Sequence, residues 1–84
     1  KDTPYRREEL TRRRPIDVDG VTIYLVAPED LVLSKLDWAK DSLSEMQLAD
    51  ARNIVGSVPD LDWGYLDRWA ADLGLIAMLS RVRP

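Results

Sequence analysis

Lys35 and Asp50 are the two residues whose types and positions admit chemistry in this chain. Lys35 lies in the run Ala27-Pro-Glu-Asp-Leu-Val-Leu-Ser-Lys-Leu-Asp-Trp38, which has helical composition. At about 100° per residue we expect Leu31, Val32, Leu36, Trp38 and Ala39 on one apolar arc, with Lys35 projecting between Leu31 and Ala39. An ammonium there must snorkel to water, pair with a carboxylate or hold an anionic ligand, because an unpaired buried charge costs several kcal/mol. Asp50 stands in the column Met46, Asp50, Ile54, on the flank of the next helix's apolar face. A short connection favours an antiparallel helix pair and would bring Lys35 and Asp50 to one edge of a shared core. Such a pair suits phosphoryl transfer: the ammonium neutralises phosphate oxygens as charge builds, and the carboxylate accepts a proton from an attacking hydroxyl or orients the lysine. The alternative is a structural ion pair that closes the helix pair, and spacing does not choose between them.

Other polar and aromatic groups have plainer readings beside the functional ones. Glu29 and Asp30 suggest a metal site, but an acidic pair in a first helical turn also complements the helix dipole, and we expect no metal ligands in this chain. Trp63, Tyr65 and Trp69 offer stacking platforms, yet at helical spacing beside Leu66 and Leu73 they read as packing. Arg12, Arg13 and Arg14 suit phosphate or form a solvated charge run. With no histidine and no cysteine, the chain has neither a His-dependent triad nor a thiolate or imidazole zinc site.

The elements that must position these groups follow from local patterns. Thr3-Pro4 begins a short helix over 5–12, anchored by Leu10. Pro15 to Val18, Asp19-Gly20 and Val21 to Val26 read as strand, type I′ turn and strand. Both faces of this hairpin carry apolar character, so the sheet is expected to continue into further structure. Pro28 opens a second helix to about Lys40, and Asp41 or Ser42 caps a third over 44–55, ended by Gly56. Asp62 caps a fourth helix whose stripe is Tyr65, Leu66, Trp69, Ala70 and Leu73; Gly74 ends it, and 75–82 forms a last short helix. The fold class is therefore α+β: a short helix and a β-hairpin followed by about four helices, in a single domain over 1–84.

At 84 residues, 45% hydrophobic and 32% charged, the chain makes one small globule with a modest core. Its net charge of −3 divides unevenly, since residues 1–14 hold six basic and three acidic side chains. We expect no membrane span or signal peptide, hence a cytoplasmic location. The polar start at Lys1 reads as the middle of a larger protein.

The order Arg12-Arg-Arg-Pro, Asp19-Gly-Val-Thr-Ile-Tyr-Leu-Val-Ala-Pro-Glu-Asp-Leu-Val-Leu-Ser-Lys-Leu36, Gln47-Leu-Ala-Asp50 and Leu61-Asp-Trp-Gly-Tyr-Leu-Asp-Arg-Trp-Ala70 resembles bacterial nucleotidyltransferase-fold proteins, including the AbiEii-type toxins of toxin–antitoxin systems. The resemblance spans nearly the whole chain, and the Glu29-Asp-Leu-Val-Leu-Ser-Lys-Leu36 segment is its most specific part. It implies a partial nucleotidyltransferase fold, the C-terminal part of a larger protein. Lys35 would contact nucleotide phosphates and Asp50 would assist at the active site as a catalytic residue, with Ala49 standing where the family usually has arginine. The family's Gly-Ser motif and metal-binding aspartates would lie in an N-terminal half before Lys1; here a Gly-Ser pair occurs only at Gly56-Ser57, without family context. Mg2+ and a nucleoside triphosphate would serve the intact parent, not this fragment, which alone would be inactive. The missing N-terminal half, RNA as acceptor, and an antitoxin or a homo-oligomer through the hairpin edge are the implied partners. The competing expectation is a non-catalytic binding or antitoxin-like module that uses that exposed edge.

Overall fold

Thr3 accepts the Arg6 N–H and Pro4 occupies the first helical position, so α1 starts where a cap and a preset φ coincide. A computed structural model describes residues 3–84. The order is α1 (Pro4–Arg12), β1 (Arg14–Val18), β2 (Val21–Leu25), α2 (Pro28–Ser42), α3 (Glu45–Ser57), α4 (Trp63–Leu73) and α5 (Ile76–Val82). The α+β class holds, with a short helix, an antiparallel hairpin and four further helices. None of the described helices is long and apolar enough to cross a membrane.

Asp19 and Gly20 both adopt positive φ, 50° and 79°, which is the type I′ geometry whose twist matches the flanking strands. The register pairs Val18 with Val21, Ile16 with Ile23 and Arg14 with Leu25. Those pairs share one face of the ribbon, and Pro15, Asp17, Thr22 and Tyr24 share the other. Thr22 donates to Asp17 across the strands at 2.8 Å. Every residue of both strands is exposed, so the hairpin projects from the helices without packing a face against them.

The core is helical. Val32, Leu33, Leu36 and Ala39 of α2 meet Leu48 and Ala51 of α3, Leu66, Trp69 and Ala70 of α4, and Leu75, Leu79 and Val82 toward the C-terminus. Two expected boundaries shift. Ser44, not Asp41 or Ser42, caps α3 by accepting the Gln47 N–H, because α2 runs on to Ser42 and turns through Leu43 at φ 55°. Gly56 lies inside α3 instead of ending it, and Val58 is the C-terminal cap.

Gly74 does close α4 in the left-handed region at φ 72°, where its N–H reaches the Ala71 carbonyl. A β-carbon there would also stand 3.0 Å from the Lys40 Nζ. Gly74→Ala is expected to lose about 1–2 kcal/mol, the left-handed penalty of a side chain. The lysine tip moves aside cheaply, so the unfolding free energy from a urea titration should fall by that amount and no more.

Candidate functional site

Lys35 and Asp50 come together as the spacing anticipates. The antiparallel pairing of α2 with α3 places the Lys35 Nζ 3.3 Å from the Asp50 Oδ2. The Lys35 side chain is 25% exposed and that of Asp50 44%, so the pair sits at the edge of the core and meets water. The expected arc on α2 needs correction. The buried stripe is Val32, Leu33, Leu36 and Ala39, whereas Leu31 is 39% exposed and Trp38 59%. Lys35 lies about 100° around the helix from Leu36, on the flank of the apolar face, not in its middle. Its ammonium is thus held by a carboxylate and partly by solvent, with no deep burial to overcome. Trp38, three residues on, lies on the same side of α2 and leaves an exposed indole beside the ion pair.

The most connected polar cluster is elsewhere, and spacing did not reveal it. Asp30 is 1% exposed at the start of α2, and Glu29 beside it is also buried. Arg12 at the end of α1 donates from Nε to the Asp30 Oδ2 at 3.1 Å and from Nη2 to the Glu29 Oε1 at 2.7 Å. Its guanidinium also lies 3.8 Å from the centroid of the Tyr65 ring. Tyr5 from α1 donates to the Asp30 Oδ1 at 3.0 Å, and Tyr65 from α4 donates to the same oxygen. The Glu29 Oε2 accepts the Asp62 N–H at 2.9 Å, at the cap of α4. One buried acidic pair therefore ties α1, α2 and α4 together.

The electrostatics follow from that geometry. Burial, then the charge and hydrogen bond of Asp30, push the Tyr5 hydroxyl well above the ordinary tyrosine range. Burial and the Asp30 hydrogen bond act in the same direction on Tyr65. Burial opposes the charge of Arg12, but the bond to Asp30 and the neighbouring Tyr65 and carboxylates more than offset it, so its pKa is raised. Dipole complementation is thus only part of what Glu29 and Asp30 do. Their oxygens are taken by Arg12, the two phenols and a backbone N–H, which leaves no coordination set for a divalent cation. Among the described residues, no group of three or more His, Cys, Asp or Glu side chains could hold a metal.

The arginine run divides. Arg12 turns inward as described, and Arg13 donates to the buried Glu9 at 2.6 Å, which also receives Arg6 at 3.2 Å. Only Arg14 enters the exposed ribbon, so the solvated-run reading fails for Arg12 and Arg13. The aromatic residues pack as expected: Trp69 is buried against Tyr5 and Tyr65, with ring centroids 5.4 and 6.4 Å away. Gly56-Ser57 is the last turn of α3, and Asp62 caps α4 by accepting the Tyr65 N–H. Both are structural here. A cavity of about 370 Å³ between α1 and α2 is lined by Tyr5, Arg6, Glu9, Arg13 and Asp30 among others, and neither Lys35 nor Asp50 borders it.

Comparison of the chain with protein-family models, with curated proteins and with solved structures finds no match.

Proposed function

We propose that this chain is the C-terminal part of a cytoplasmic nucleotidyltransferase-like protein, such as a toxin of a toxin–antitoxin system, in which Lys35 contacts nucleotide phosphates. The observation that carries the reading is the Lys35–Asp50 pair at a water-accessible edge: the ammonium is oriented, half-sheltered and one carboxylate away from release. A triphosphate brings more negative charge than Asp50, so it can take over the ammonium without moving α2 or α3. The exposed Trp38 beside the pair offers a flat apolar surface for a base.

In this reading Asp-x-Asp carboxylates outside this chain would hold Mg2+, which would supply the charge that retains the triphosphate, because the acidic pair at 29–30 is already satisfied. Asp50 acts by positioning Lys35 and, in the intact protein, by assisting proton transfer from the acceptor hydroxyl. The chain alone is inactive.

The test is a titration, with a nucleoside triphosphate and Mg2+, of the longer protein that this reading requires, followed by amide chemical shifts around Lys35 and Trp38. Binding is expected to be lost by about tenfold or more in Lys35→Met, the scale of one charge-assisted contact to phosphate. Asp50→Asn should keep it. Absence of any Lys35-dependent shift at millimolar nucleotide, with the variant folded as well as the parent chain, would leave the pair a purely structural link and sink the reading.

A second reading rests on a separate observation, the wholly exposed hairpin. On it the chain is a binding module whose ribbon recruits another polypeptide.

A further inference from the structure

The cavity of about 370 Å³ between α1 and α2 falls in the size range of small-molecule sites, which begin at about 300 Å³ and combine an apolar lining with a few placed polar groups. Its apolar lining comes from three elements: the Tyr5 ring on α1, Leu31 and Leu33 on α2, and Leu73 at the end of α4. Leu33 is buried and Leu31 is exposed, so the cavity reaches the core at one leucine and opens to solvent at the other. The polar lining is divided by charge. α1 presents Arg6, Glu9 and Arg13, two guanidiniums against one buried carboxylate, which leaves positive charge in excess. Glu9 takes the Nη1 of Arg6 and the Nε of Arg13, and each guanidinium keeps further N–H donors. α2 presents Ser34 and Asp37, one turn apart on the same side of the helix. Neither the Ser34 hydroxyl nor the Asp37 carboxylate is bonded to a described side chain, and no ion pair crosses the cavity from Asp37 to Arg6 or Arg13. Asp30, the remaining carboxylate of the lining, is taken by Arg12 and the two phenols.

The geometry points to a zwitterion as the occupant: the cavity binds a free α-amino acid with a large apolar side chain, its carboxylate on Arg6 and Arg13, its ammonium on Asp37 and Ser34, and its side chain on Tyr5, Leu33 and Leu73. Charge disfavours the simpler ligands. An alkylamine would meet Asp37 but also the positive excess of α1, and an alkyl carboxylate would meet the guanidiniums but also Asp37. Only a molecule with both charges at one end satisfies both walls. The other end supplies the apolar contribution, since it removes the aliphatic lining from water. This inference stands apart from the phosphate reading, because neither Lys35 nor Asp50 borders the cavity.

The probes are leucine, isopentylamine and isocaproate, which share one branched side chain and carry both charges, the ammonium only and the carboxylate only. Methyl chemical shifts of Leu31, Leu33 and Leu73 report occupation of the cavity. Titration runs to about 50 mM, well above the millimolar dissociation constant of so small a ligand. Leucine is expected to shift these methyls, and each single-charge analogue to bind about tenfold or more weakly, the scale of one charge-assisted contact. Glycine, with both charges and no side chain, should be weaker by a similar factor. Asp37→Asn, at an exposed position, should weaken leucine about tenfold or more and leave isocaproate no weaker, with circular dichroism as the check of fold. If that variant does not fold, nuclear Overhauser contacts between leucine and the Tyr5 ring in the unaltered protein decide: their presence supports the site and their absence overturns it. No methyl shift with leucine at the upper limit overturns the proposal. So does an analogue with one charge that binds as tightly as leucine, or a folded Asp37→Asn that binds leucine unchanged.

Discussion

Asp30→Ala is expected to lower the stability of this chain by about 3–5 kcal/mol, the range for removing one partner of a buried charge pair. The change leaves Arg12 with Glu29 alone and deprives the Tyr5 and Tyr65 hydroxyls of their shared acceptor. A domain of this size commonly holds roughly 4–13 kcal/mol in total, so the variant should be near its unfolding threshold at room temperature. Urea unfolding followed by circular dichroism measures it. Asp30→Asn, which keeps an acceptor oxygen for the phenols but not the charge facing Arg12, should lose less. If Asp30→Ala unfolds at the same urea concentration as the parent chain and its α1 amides exchange no faster, the cluster does not hold α1 in place.

The same cluster sets an alkaline limit. Tyr5 and Tyr65 both have pKa values raised by folding. Their contribution is therefore fully present below the unfolded tyrosine value of about 10 and is lost as pH rises from there through the raised folded values. Phenolate absorbance should appear together with unfolding in that window.

Leu36→Ala is the second large effect, at about 2–5 kcal/mol for a fully buried leucine cut back to a methyl group. Leu36 has no exposed surface, on the helix that meets α3, α4 and α5. Leu31→Ala on the same helix should change stability by no more than about 0.5 kcal/mol, as exposed positions usually do. The contrast between the two leucines tests where the apolar stripe of α2 lies. Equal losses would restore the arc read from the sequence, with Lys35 at its centre.

That arc shows why some features are legible in a sequence and others are not. Helix starts at Thr3-Pro4, Pro28 and Asp62, the stop at Gly74 and the turn at Asp19-Gly20 are local events, set by a few neighbouring atoms, and all appear where the residues place them. The Lys35–Asp50 pairing followed from one short connection between two helices. The orientation of α2 did not, because Leu31, Leu33 and Trp38 are all apolar and periodicity alone does not say which of them the remaining helices cover. Three-body packing with α3 and α4 selected Leu33 and exposed the other two. The clasp around Asp30 was less accessible still. Its partners Arg12, Tyr5 and Tyr65 come from 18 to 35 residues away, and only the folded chain makes them neighbours. The available hint was a pair of tyrosines and an arginine in otherwise amphipathic helices, each with a polar tip in need of a partner.

The manner in which α1 is fastened has a consequence for how the molecule opens. α1 and the ribbon touch the helical body through side chains, above all the clasp at Asp30 and the ring of Tyr5 on Trp69, while α2 to α5 share one continuous apolar interior. Detaching residues 3–25 exposes little of that interior, so it requires less free energy than melting the whole. The chain thus has two tiers of cooperativity, an N-terminal limb that releases as a unit and a helical remainder that persists. A nick by a protease would fall first in the segment that joins them.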